Sequence, residues 1–153
     1  MWIKASLMVL VLAATGCSPG RASSEPDPDS PRGLTERATR TTLEGRTERA
    51  IDLCRKVLAE EPESVRAHLV MGMAFRLAAD RATGAEREAL RREELAALTK
   101  AAELDPNNLA AQVDLASSLQ RAGQQQRAAE HLRRAAESHP GATWTKTVKP
   151  QEP

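Results

Sequence analysis

Three histidines, two cysteines and several paired carboxylates are the side chains in this 153-residue chain that could do chemistry beyond packing. A metal site would need His68, His131 or His139 to pair at a three- or four-residue helical spacing, or to be joined by Cys or carboxylate ligands; neither occurs. Glu60-Glu61, Glu86-Glu88 and Glu93-Glu94 could in principle share acid and base roles. Close neighbours on a helix point different ways, however, and Arg87, Arg91 and Arg92 are interspersed among them. Solvated ion pairs are the expectation. Cys54 falls on an apolar helical stripe and is expected to be a small buried hydrophobe. The chain shows no phosphate-cradling loop, nucleophile elbow or zincin motif. The expectation is a protein that is not an enzyme and takes no cofactor, metal or small-molecule substrate.

Charge narrows the partners. Lys and Arg total 22 against 21 Asp and Glu, and Lys4 is the only charged residue among the first sixteen. Nucleic-acid binders usually carry a basic stripe, with rings for stacking if they hold single strands. Neither is visible, so no nucleic-acid partner is expected. Aromatic residues make up 2% of the chain, and Trp2 and Trp144 lie far from its middle, leaving Phe75 as the ring available to a core. The core must be built from Ala, Leu, Val and Met, which suits closely approaching helices better than sheets.

Those helices are written as a repeat. Gly45, Ala50, Cys54, Val57 and Pro62 recur at identical offsets as Gly123, Ala128, Leu132, Ala135 and Pro140, with a partial third copy at Leu98, Ala101 and Pro106. Ala128, Leu132 and Ala135 stand on one helix face, and each proline stops its helix by removing a donor. Pro106 and Pro140 are 34 residues apart, but Pro62 and Pro106 are 44 apart, so ten extra residues must lie near Asp80–Arg91. Thr83-Gly84-Ala85-Glu86 reads as a capping box ahead of strong helix formers. The second helix of the middle hairpin is therefore expected to gain nearly three turns at its start, about 15 Å of projection.

The pattern resembles the tetratricopeptide repeat, a helical hairpin of about 34 residues. The resemblance implies an all-α, short right-handed solenoid of about three hairpins, over 34–64, 65–108 and 109–140, with the middle one extended. Gly45 and Gly123 would turn the chain, Ala50 and Ala128 would sit at helix crossings, Ala101 would take the later small position that Val57 and Ala135 fill, and Pro62, Pro106 and Pro140 would end each unit. Met71, Gly72 and Phe75 occupy the family's Leu, Gly and aromatic positions, and His68 takes its Trp position as a partly buried structural histidine. The first hairpin departs from the pattern. Arg37 stands where Leu is expected and Thr41 where an aromatic is, and Thr39, Thr41 and Thr42 lower helix propensity, so its first helix is expected to be poor. The last helix carries Gln125, Glu130, Arg133, Arg134 and Glu137 outward and can serve as its own polar cap.

In that family the first helix of each hairpin lines a concave groove that holds a protein or peptide. The positions carried over are Arg66, Leu69, Met73, Arg76 and Leu77, then Ala110, Val113, Ser117, Gln120 and Arg121, with Thr35, Thr39 and Thr42 from the first hairpin. Apolar side chains flanked by arginines imply a partner with hydrophobic anchors and some acidic character. The extra turns of the middle hairpin read either as a packing extension or as a docking prong.

Residues 1–17, MWIKASLMVLVLAATGC, combine a basic start, a short apolar stretch and small residues before Cys17. They resemble a bacterial lipoprotein signal, which implies cleavage after Gly16, lipidation of Cys17 and a membrane anchor. Ser18 in place of Asp implies the outer membrane. The expected plan is a signal over 1–16, a flexible Ser/Pro/Asp-rich tether over 17–33, the repeat domain over 34–140 and a disordered tail over 141–153. By resemblance, lipoproteins of this plan act as interaction adaptors or assembly factors in the envelope. The alternative is an accessory subunit of an envelope enzyme complex, for cytochrome maturation or cell-wall synthesis.

Overall fold

A computed structural model describes residues 26–141; the signal segment, Cys17 and the tail from 142 lie outside the described residues. Six helices follow one another: α1 (Pro31–Leu43), α2 (Thr47–Glu60), α3 (Val65–Arg81), α4 (Gly84–Leu104), α5 (Leu109–Arg121) and α6 (Gln125–Ser138). No strand occurs among the described residues. Each helix packs on the next in the chain, and α1 also reaches α3, so the hairpins α1–α2, α3–α4 and α5–α6 stack in order as a tetratricopeptide-type α-solenoid.

The first and last hairpins turn by the same device. Gly45 at φ +77° and Gly123 at φ +76° take the left-handed conformation that side chains resist. The residue after each glycine donates its N–H to the carbonyl five positions back, Arg46 to Thr41 and Gln124 to Leu119, so orphan carbonyls of α1 and α5 are satisfied. Ala50 and Ala128 are both fully buried at helix contacts, and Ala101, Cys54, Val57 and Ala135 join them. The core is continuous in character if not in contact: Leu34, Cys54, Val57 and Val70 form one cluster, Ala50, Ile51, Ala74 and Phe75 a second. Leu98, Leu115, Leu119 and Ala128 form the third.

Three expectations need correction. The first helix is not poor: α1 is complete and begins at Pro31, within the stretch read as tether, because Ser30 accepts the Gly33 N–H as an N-cap and Pro31 is pre-set for the first turn. Its threonines satisfy themselves. Thr35, Thr39, Thr41 and Thr42 each turn the hydroxyl back to the carbonyl four residues earlier, at 2.6–2.9 Å. Arg37, where an apolar residue was expected, reaches the Pro28 carbonyl and Asp29 instead.

The ten extra residues are shared between both helices of the middle hairpin. α3 has 17 residues against 13 in α5, and α4 has 21 against 14 in α6. The gain in α4 is therefore two turns, about 10 Å, and α3 lengthens by one turn to match it. A lone helix projecting three turns would have left its apolar stem in water, and the paired extension avoids this. The capping box does not form: Gly84 takes φ +57°, and the Thr83 hydroxyl makes no cap hydrogen bond.

Candidate functional site

The repeat register places a residue twelve positions before each closing proline at the helix crossing. In the outer hairpins it is Ala50 and Ala128; in the middle one it is Glu94. That carboxylate is 0% exposed. The expectation of a solvated Glu93-Glu94 pair is therefore wrong for Glu94, and the signal that could have revealed it was the spacing to Pro106.

A buried carboxylate survives only if its oxygens are paired. Arg91, one turn earlier on α4, donates to Glu94 Oε2 at 3.0 Å and to Asp80 of α3 at 2.6 Å. Arg121 of α5 takes Glu94 Oε1. One side chain thus ties the second helix of the middle hairpin to both neighbouring first helices, α3 through Arg91 and α5 directly. The pairs hold the Arg91 guanidinium above its usual value although burial works the other way.

Beside this network, Met73 and Arg76 of α3, Asp114 of α5, and Glu94 and Leu98 of α4 surround a small cleft. Burial raises the Asp114 carboxyl above its ordinary value, with Arg76 and Arg121 opposing the rise. Of the groove residues carried over from the sequence, Met73 and Arg76 are brought together here. Leu69 is half-buried against the core cluster of α4 and α5, while Leu77, Val113 and Ser117 are half-buried on the same two helices that carry the cleft's Met73 and Asp114. Arg66, Ala110 and Gln120 are exposed. Arg121 gives Nη2 to the buried Glu94 and remains exposed, whereas Thr35 and Thr42 are buried with their hydroxyls turned to the backbone and do not present free groups as expected. Thr39 is half-buried and also bonded to its own helix.

The remaining candidates take structural places. His68 contacts the Pro62 carbonyl through Nε2 at 3.1 Å, and Gln112 does the same to Pro106 at 2.9 Å, each six residues after its proline. Both side chains hold the loop that joins one hairpin to the next. Among the described residues no group of three or more His, Cys, Asp or Glu could hold a metal ion, and no helix is long and apolar enough to cross a membrane.

Cys54 is fully buried, and burial alone pushes its thiol up to about 12. An unfolded cysteine ionises near 8.5. Since the folded value is raised, the protonated thiol stabilises the fold below that pH, and the contribution is lost as pH climbs from about 8.5 towards 12. In a Cys17→Ala background, a chromogenic disulfide reagent at pH 8 is expected to label Cys54 only at the rate of opening and promptly in denaturant. Rapid labelling of the native protein would contradict the burial.

The extended middle hairpin overhangs the α1–α2 turn. Arg81 Nη1 donates to the Gly45 carbonyl at 2.5 Å, and a cleft of about 560 Å³ opens between them, lined by Arg46, Arg49, Ile51, Glu86 and Leu90. The added turn of α3 therefore leans on the first hairpin through Arg81, and Leu90 of α4 packs beside Ile51 and Phe75, while residues 84–88 stay exposed.

Residues 110–142 match the family model for the tetratricopeptide repeat. Comparison with curated proteins returns no match. Solved structures show the same fold. A thermophilic TPR protein of Thermus thermophilus superposes with TM-score 0.68 at 17% identity, over 74% of this chain and 59% of that one. MamA from Desulfovibrio magneticus RS-1 gives TM-score 0.62 at 19% identity, over 76% and 60%. The type III secretion translocator chaperone SycD of Yersinia enterocolitica gives 0.63 at 16%, over 78% and 83%. The chain thus spans about 60% of the length of the first two. At these identities the likeness shows the fold: a solenoid of tetratricopeptide hairpins.

Proposed function

We propose that this protein is a non-catalytic adaptor that holds a segment of another protein against α3 and α5. The observation that carries this reading is the row of half-buried Leu69, Met73 and Leu77 along α3, with half-buried Val113 on α5, beside the charge pair of Arg76 and Asp114. The charges there balance. Arg76, Arg91 and Arg121 face Asp80, Glu94 and Asp114, so apolar anchors select the segment and acidity in the partner adds little. This replaces the acidic partner suggested by the arginines alone. The likeness to a translocator chaperone supports a client-holding role.

The lipoprotein-like residues 1–17 support an anchor through the Cys17 sulfur, with the solenoid facing the periplasm from the outer membrane of a bacterial envelope. The test has two arms. Met73→Asp with Arg76→Glu is expected to abolish capture of a partner crosslinked in cells, at least tenfold, with helix content unchanged by circular dichroism. Undiminished capture moves the binding surface elsewhere. Cys17→Ala is expected to shift the protein from the membrane pellet to the supernatant, and continued sedimentation refutes the acyl anchor.

A further inference from the structure

On the side of α6 that faces α4 the repeat pattern is broken a second time. Nine residues before their closing prolines, the first two hairpins carry Leu53 and Ala97, both buried; the third carries His131. A groove of about 290 Å³ opens at this position, lined by Thr99 and Glu103 of α4, Gln112 of α5, and Arg127, His131 and Arg134 of α6. The three α6 residues follow one another at four and three positions, one face of the helix.

The state of His131 is set by its neighbours. A carbonyl oxygen only accepts, so Gln112 donates Nε2–H to Pro106 O, which leaves Gln112 Oε1 facing His131 Nδ1 at 2.7 Å. An amide oxygen also only accepts, so Nδ1 carries the hydrogen and Nε2 of the neutral ring is a bare acceptor. Gln112 is 1% exposed and cannot reorient without losing two buried bonds. Arg127 engages Gln124 through Nη1, and Arg134 engages Glu130 through Nε, so each keeps further N–H donors uncommitted among the described hydrogen bonds. A concave site with two guanidinium donors and a fixed imidazole has the chemistry of an oxyanion receptor.

We propose that Arg127, His131 and Arg134 form a binding site for a sulfate- or phosphate-like oxyanion, and that His131 takes up a proton as the anion binds. In the free protein, burial and the adjacent Arg134 and Arg127 hold the imidazole below its ordinary value, with Glu130 working against them. A bound dianion neutralises the arginines and gives the ring a second partner, an N–H at Nε2 donating to the anion. The bound-form value is then higher, so affinity strengthens as pH falls through it. Glu103, the α4 carboxylate on the groove, repels the anion and sets an upper limit on its affinity. The site draws on α4, α6 and Gln112 of α5 and shares no side chain with the α3–α5 cleft, so it stands or falls independently of the adaptor reading.

The test is an NMR titration of the His131 ring in the folded protein with sulfate, which stays a dianion across the range. Sulfate is expected to raise the His131 titration midpoint and to bind several-fold more tightly at pH 5.5 than at pH 8, approaching about tenfold for a one-unit shift once the pH lies below both midpoints. His131→Gln is expected to remove that pH dependence while leaving the weaker binding through the arginines. Arg127→Gln with Arg134→Gln should remove binding altogether, and Glu103→Gln should tighten it. Phenyl phosphate distinguishes the source: binding equal to that of sulfate indicates recognition of a terminal phosphate on a larger molecule, and its exclusion indicates a free inorganic anion. An unmoved His131 midpoint at high sulfate, or an identical pH slope in His131→Gln, overturns the proposal.

Discussion

Replacing Arg91 and Arg121 together by methionine is expected to destabilise the solenoid by about 3–5 kcal/mol, the range for leaving a buried charge without its partners. Glu94 has no exposed surface, and these two guanidinium groups are its ion-pair partners on both sides. Truncating either one alone leaves an oxygen paired, so the single variants should fall short of the double. The effect is expected to reverse when Glu94→Met is added. The apolar side chain then occupies a crossing that the outer hairpins fill with Ala50 and Ala128, and nothing charged is left inside. Urea denaturation of the single, double and triple variants measures this directly. A triple variant no more stable than the double would show that buried charge is not what the arginines offset.

Gly72→Val is the second large effect, expected at about 3 kcal/mol, the upper end for forcing bulk into a packed core. Helix propensity alone argues for gain, because glycine inside a helix costs about 1 kcal/mol relative to alanine. Packing reverses the sign. A Cβ at Gly72 would stand 2.7 Å from Leu98 Cδ2 and 2.8 Å from its Cγ, where α3 crosses α4. Leu98 is itself buried in the main core cluster and has little room to withdraw. Leu98→Ala in the Gly72→Val background is expected to restore part of the loss, more than the two single effects would sum to, since each relieves the other. Strict additivity would mean that the two positions are not in contact. The open space around Gly123, where nothing lies within 4 Å, makes Gly123→Ala the milder control, with only its positive φ at stake.

Much of this architecture is legible before any coordinates. The offsets from Gly45 to Pro62 and from Gly123 to Pro140 encode turn, crossing and stop, each a local property of glycine, alanine or proline, and each lies where the spacing puts it. The ten-residue excess was also visible as a number. How it is divided was not, because the length of α3 depends on what α4 needs covered. The four threonines of α1 mislead for a related reason: propensity scales penalise them, yet hydroxyls bonded back to the helix and a well-formed Ser30 cap let packing against α2 and α3 prevail.

The sequence by itself determined that the chain makes stacked helical hairpins, because small residues and helix stops at a fixed period are local and additive. Only the tertiary structure decided which charges are spent and which remain. Glu94 and Arg121, Arg91 and Asp80, and Gln112 and His131 meet across helices 11 to 27 residues apart in the chain. Pairing of that kind depends on the angle and distance at which helices cross, and no periodicity within one helix carries that information.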